Sequence, residues 1–342
     1  MATRTGSIIR KSIQYIVMFA ISLVLLWFAF KGVKWDDFVE GIKGCNFMWI
    51  GLSMVASYGA FIIRGARWRL IMLPINPNIK TREAYDGVAV GYLTNFAMPR
   101  AGELARCGVI ARTGKVSFEA ALGSVVLERS IDMLTLILLI FAILLFKRGM
   151  FGTFFREQIW DPMTGSLSLN MLWIGIIILI ILVIFFIILR KNQKRLSQNK
   201  IYRKISDMVK GLIGGIKAGF KMKDRWLFLF YTALLWAIYW FMSLATMYAF
   251  PSLMELNGMD ALFLMIAGSL GWVVPVPGGI GAYHFIVALA LWSLYGVPQS
   301  TGVIFATVSH ESQALIMLIF GAISLISVSL YKRSTKQTST NP

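Results

Sequence analysis

The sequence predicts an all-α polytopic membrane bundle built from two inverted repeats, each carrying a re-entrant hairpin broken by proline and glycine. Three observations lead there. Hydrophobic residues make up 57% of the chain and the mean hydropathy is +0.70, above the apolar share of a soluble domain. Several apolar runs are long enough to cross a hydrocarbon core. Two shorter runs, broken by Pro and Gly, recur in the same order in both halves: Pro99 and Glu128 lie 29 positions apart, Pro277 and His310 lie 33 apart. Corresponding broken segments in two halves mark the substrate site of many secondary transporters.

The first run, 13–30, carries no charge and reads as a retained span, since no small-residue cleavage site followed by a soluble domain appears. Arg4, Arg10 and Lys11 before it place the amino terminus inside. A mixed-charge loop, 31–46, leads to a second span at 47–63, which returns to a basic segment holding Arg64, Arg67, Arg69, Lys80 and Arg82. The apolar run 84–98 has only 15 residues, where a full span needs about 20. It is expected to enter partway, turn at 99–102 and return. Its returning arm carries Arg106 and Arg112, which need protein or water around them.

The run 120–146 crosses outward and 171–189 returns. Segment 190–225 then carries twelve basic residues against Asp207 and Asp224, the strongest cytoplasmic marker in the chain. A span at 226–250 follows, then half-length arms at 261–275 and 282–295 around a Pro/Gly turn, then a last span at 301–330. The count is six spans and two hairpins, or eight to ten spans if each hairpin arm crosses fully, in one transmembrane domain, 1–342, with repeats at 10–146 and 171–331 and both termini cytoplasmic. Three spans per half invert the second repeat, so that the two hairpin tips can meet near the midplane.

The net charge of +18 would suggest nucleic acid in a soluble protein. Here the basic residues lie mainly between apolar runs, so orientation accounts for them and no nucleic-acid partner is expected. Cys45 and Cys107 form neither a disulfide framework nor a metal-spacing motif.

Ionisable groups within membrane segments are costly, and mark functional sites unless paired. On a helix, Glu128 and Asp132 share a face and Arg129 reaches Asp132. One reading has Arg100, Arg106 and Arg129 grip an anionic head group, because a guanidinium fork matches phosphate oxygens; the other is an ion-paired helix start at the membrane surface. Pro99, Arg100, Gly102 and Glu103 read as a turn opening a new helix, whose free N–H groups favour anions. Asn95 is either a head-group contact or a helix cap. In the second half, Pro277, Gly278, Gly279 and Gly281 offer free backbone and close approach. GGIGAYH lacks the third glycine and the strand-helix setting of a dinucleotide loop. His310 and Glu311 match half of HExxH, but position 314 is Ala, so no metal is expected from that motif. They are expected to act as a proton relay or head-group contact, or else as an interhelical clasp. His284, beside the glycine turn, reads as packing or interface.

The runs N-F-x-x-P-R-A-G-E-x-x-R from Asn95, V-x-x-E-R-S-x-D from Val125 and P-x-P-G-G-I-G from Pro275 together resemble the flippase-like transmembrane domain of lysylphosphatidylglycerol synthases and related stand-alone integral membrane proteins. The resemblance spans roughly residues 10–330. It implies movement of an anionic phospholipid or polyprenyl-phosphate-linked lipid between leaflets of a cell's inner membrane, with the lipid as partner and no cofactor. An enzyme of lipid modification and a non-catalytic scaffold are the alternatives. The full synthases carry a soluble aminoacyl-transferase domain after the membrane part, whereas about a dozen polar residues follow Leu330 here; lysyl transfer is therefore not expected, and no catalytic residue is assigned. The residues specify no protein partner.

Overall fold

The computed structural model describes residues 2–149 and 223–338. Among them are ten α-helices and two short 3-10 turns, all helical as the composition requires. The expected span at 171–189, and the basic segment as far as 222, lie outside the described residues. The chain divides into two compact units, Met1–Glu128 with Lys221–Pro342, and Arg129–Phe220.

In the first unit, α1 (Ala2–Phe30) is followed after a sharp bend by α2 (Trp35–Lys43); the axes of Gln14–Phe30 and Trp35–Lys43 differ by 82°. The stretch 31–46 was expected to be a loop, but Asp36 and Asp37 in the first turn and Lys43 in the last suit a short helix whose Phe38 is buried. Next comes α3 (Phe47–Met72), capped by the Asn46 side chain, which accepts from Met48 N at 3.1 Å. It runs nine residues beyond the expected end at 63, because Arg64 and Arg67 are buried in the bundle and do not emerge at a surface.

The first broken segment is α4 (Thr81–Ala97) and α5 (Gly102–Ala111), and α6 (Phe118–Phe146) follows. The second broken segment sits between α7 (Arg225–Tyr248) and α10 (Gln299–Thr338); it comprises α8 (Gly258–Val273), the 3-10 turn Pro277–Gly279, and α9 (Ala282–Tyr295). Asn257 and Asp260 form a reciprocal capping box at the start of α8. Tyr295 closes the far end of the hairpin by donating to Asp260 Oδ1 at 2.9 Å, and Gly296, in the left-handed region, ends α9.

The order long, short, short, long is thus repeated, in α3–α6 and again in α7–α10. Helices α3 and α7 lie side by side, tied where Ser53 Oγ donates to the Met242 carbonyl at 3.2 Å. A core of Phe38, Met247, Phe250, Leu264, Val287 and Phe305 fills the space among α2, α7, α8, α9 and α10. Outward faces stay apolar, with Val55, Phe230, Trp292 and Ile326 exposed, an arrangement that only lipid solvates well. Among the described residues, five helices are long and apolar enough to cross a membrane, or six if the bent pair of α1 and α2 counts as one. The stretch Pro277–Tyr295 is one of the five, although its sequence suggested only a half-length arm. In the second unit the described part, 129–149, contains the remainder of α6.

Candidate functional site

Each hairpin closes by letting its arms approach through glycine. A Cβ on Gly91 would lie 2.8 Å from the Gly102 carbonyl oxygen, and one on Gly271 would lie 2.7 Å from Tyr283 Cα, so neither position accepts a larger residue without moving an arm. Asn95 braces the first turn: its Oδ1 accepts from Gly102 N at 2.8 Å, satisfying one open donor at the start of α5. Asn95→Ala is expected to lower stability by about 1 kcal/mol, with Asn95→Asp near neutral because it keeps the acceptor, in denaturant titrations of the purified protein.

The tips of the two hairpins touch. Arg100, with φ 62, is the one non-glycine residue in the left-handed region among the described residues. From there its Nη2 donates to the Val273 carbonyl at the end of α8, at 3.0 Å, where a cation suits the negative end of the helix. Phe96 and Trp272 meet edge to face with centroids 6.5 Å apart, and a Cβ on Gly278 would strike the Phe96 ring at 2.6 Å. Arg100 remains exposed, and Pro99 and Glu103 are half-buried beside it. The other end of the second tip rests on α1, where Ser22 Oγ donates to the Ile280 carbonyl at 2.7 Å.

Below the first tip lies a buried ionic knot that the sequence reading only half located. Glu128 is 0% exposed and takes Arg106 Nη2 on Oε2 at 2.6 Å and Arg67 Nη2 on Oε1 at 2.9 Å, with Arg64 Nε 3.3 Å from Oε1. Arg64 also donates to the Tyr92 and Tyr239 hydroxyls. Arg67 reaches Thr232 Oγ1 at 3.4 Å, and the Arg106 guanidinium lies 4.5 Å from the Trp68 ring centroid, a cation–π contact. Arg106 and Glu128 were both candidate site residues. Arg64 and Arg67, assigned to a cytoplasmic flank, complete the group. Their three-residue spacing in an apolar helix was the available signal, since it puts both on one face.

A second polar group sits where the later tip meets α10. His310, fully buried, has Nε2 2.9 Å from the Gly278 carbonyl oxygen and Nδ1 2.9 Å from Glu311 Oε1. His284 Nε2, from the first turn of α9, is 3.7 Å from the same carboxylate oxygen. Trp272 stacks on the His310 ring at 5.1 Å. Ligand atoms of His284, His310 and Glu311 all lie within 4.8 Å of one another, which brings His284 into the same polar group. Pro277, Gly278, Gly279 and Gly281 supply the turn that carries the contact. Arg129 and Asp132 fall in the second unit, the first exposed and the second half-buried.

Neither the curated proteins nor the solved structures contain a match to this chain. One family model, described as the lysylphosphatidylglycerol synthase TM region, matches residues 15–321. The chain therefore belongs to the lysylphosphatidylglycerol synthase transmembrane-region family, and is a multi-pass membrane protein related to lipid modification or transport.

Proposed function

We propose that the protein translocates an anionic phospholipid or polyprenyl-phosphate-linked lipid, binding its head group where the two broken segments meet. The observation that carries this reading is the contact of the two tips through Arg100 and Val273. Interrupted helices from two halves that meet around free backbone and charge make the kind of site that transporters use. A lipid phosphate crossing hydrocarbon unpaired is the costly part of such a reaction, and the tips offer guanidinium and N–H donors to meet it.

The roles divide by exposure. Exposed Arg100 and half-buried Glu103 face the head group, with Pro99, Pro277 and the buried glycine turn 278–281 shaping the two tips. Arg106 and Glu128, already engaged with Arg64 and Arg67, hold the first finger in place. His310 with Glu311 lines the second finger. Repetition of the helix order supports an inverted pair of repeats, and the basic segments support cytoplasmic termini in an inner membrane.

Vesicles reconstituted with the protein and trace head-group-labelled phosphatidylglycerol test the reading. Redistribution of label between leaflets without covalent change is expected. A new lipid product on chromatography points instead to an enzyme of lipid modification, and neither result leaves a scaffold. Arg100→Gly suits the left-handed turn and removes only the side chain. It is expected to slow redistribution by about 10-fold or more, the worth of one charge-assisted hydrogen bond, while thermal stability stays near wild type.

A further inference from the structure

We propose that His284, His310 and Glu311 form a binding site for a divalent transition-metal ion, with zinc the first candidate. A HExxH motif on α10 fails because position 314 is Ala. The second histidine arrives through space, from α9.

The hydrogen-bond pattern requires a positive centre there. The Gly278 carbonyl can only accept, so the His310 Nε2 beside it at 2.9 Å must carry the ring hydrogen. In the neutral ring Nδ1 is then a lone pair, and it faces a carboxylate oxygen 2.9 Å away. Two acceptors at that distance repel unless a proton or a cation lies between them. A proton on Nδ1 would settle that pair and leave His284 unanswered. His284 is 2% exposed and neither ring nitrogen is hydrogen-bonded: Nδ1 has no partner, and Nε2, 3.7 Å from Glu311 Oε1, is beyond hydrogen-bond range, so with the ring hydrogen on Nδ1 the Nε2 lone pair faces the carboxylate. One metal ion satisfies all three acceptors together.

The spacing suits that ion. Ligands at about 2.0–2.1 Å in a tetrahedron stand roughly 3.3 Å from each other; Glu311 Oε1 stands 2.9 and 3.7 Å from the two histidine nitrogens, and all three ligand atoms lie within 4.8 Å of one another, so an ion bound there draws the two imidazoles together. Two imidazoles and a carboxylate are a donor set that zinc accepts. The bond from His310 Nε2–H to a backbone carbonyl is the outer contact that metal-ligating histidines usually make, fixing the tautomer that exposes the other nitrogen. Both histidines are buried, whereas Glu311 has a side-chain exposure of 51%, which leaves an approach on its side. Three protein ligands leave a fourth position for water or an oxygen anion. Such an ion would join the second tip, α9 and α10 at one point.

The test uses the full chain purified through a tag without histidine, stripped with chelator, dialysed against zinc chloride and assayed for metal by mass spectrometry, with cobalt chloride loaded in parallel. About one zinc per chain is expected, together with visible cobalt absorption of nitrogen and oxygen ligation. His284→Gln and Glu311→Gln should each weaken zinc binding by about 10-fold or more, and Cys45→Ser with Cys107→Ser should leave it unchanged. Zinc well below one per chain, undiminished binding in His284→Gln, or a thiolate charge-transfer band in the cobalt spectrum would each overturn the proposal. Should the histidine variant fail to fold, the wild-type stoichiometry and cobalt spectrum still decide.

Discussion

Glu128→Ala is expected to destabilise the protein by about 3–5 kcal/mol, or to prevent its accumulation, because it strands buried guanidinium groups of Arg64, Arg67 and Arg106 around the space of one lost carboxylate. The carboxylate takes both of its nearest bonds from side chains that are almost wholly excluded from solvent, so neither water nor rotamer change can replace it. Thermal unfolding in detergent, followed by aggregation-sensitive chromatography, measures the loss. Glu119→Gln on the same helix, at an exposed position, should change stability by less than about 0.5 kcal/mol. Combining Glu128→Gln with Arg106→Gln should cost less than the sum of the two single changes, since the pair shares one contact. A fully additive pair would show that the arginines are stabilised elsewhere.

Gly281→Ala ranks next. Gly281 has φ 84, and a Cβ there would lie 3.1 Å from Leu26 N and closer still to the Ser22 carbonyl oxygen. Conformational strain of about 1–2 kcal/mol and overpacking of about 1–3 kcal/mol act together, and the bond from Ser22 to Ile280 is strained with them. Gly296→Ala separates the two causes. It shares the positive φ, at 65, yet nothing lies within 4 Å of its Cβ position, so only the conformational part should appear. If both variants lose the same stability, close packing of α1 on the second tip is not what holds Gly281 in place. In the lipid assay Gly281→Ala should also be slower than Gly296→Ala, because only Gly281 belongs to the tip.

Much of this architecture was legible in the residues. Apolar runs announced α3, α6, α7 and α10, and the Pro/Gly breaks located both hairpins to within a few residues, because an interrupted apolar run admits few other conformations in lipid. Motif order identified the family before any coordinates. The boundary that failed most instructively is the end of α3. Arg64 and Arg67 read as the end of a span, since an arginine in a membrane segment is costly unless a partner is known, and the partner, Glu128, stands 61 residues further on.

Sequence alone thus determined that the chain is helical, membrane-embedded, twice broken and of this family, because those properties depend on local composition and spacing. Only the tertiary structure decided which charges are shared, that Arg100 reaches across to α8, and that His284 joins His310 and Glu311. Such contacts link residues 22 to 173 positions apart, and their energy depends on distances and burial that no periodicity encodes.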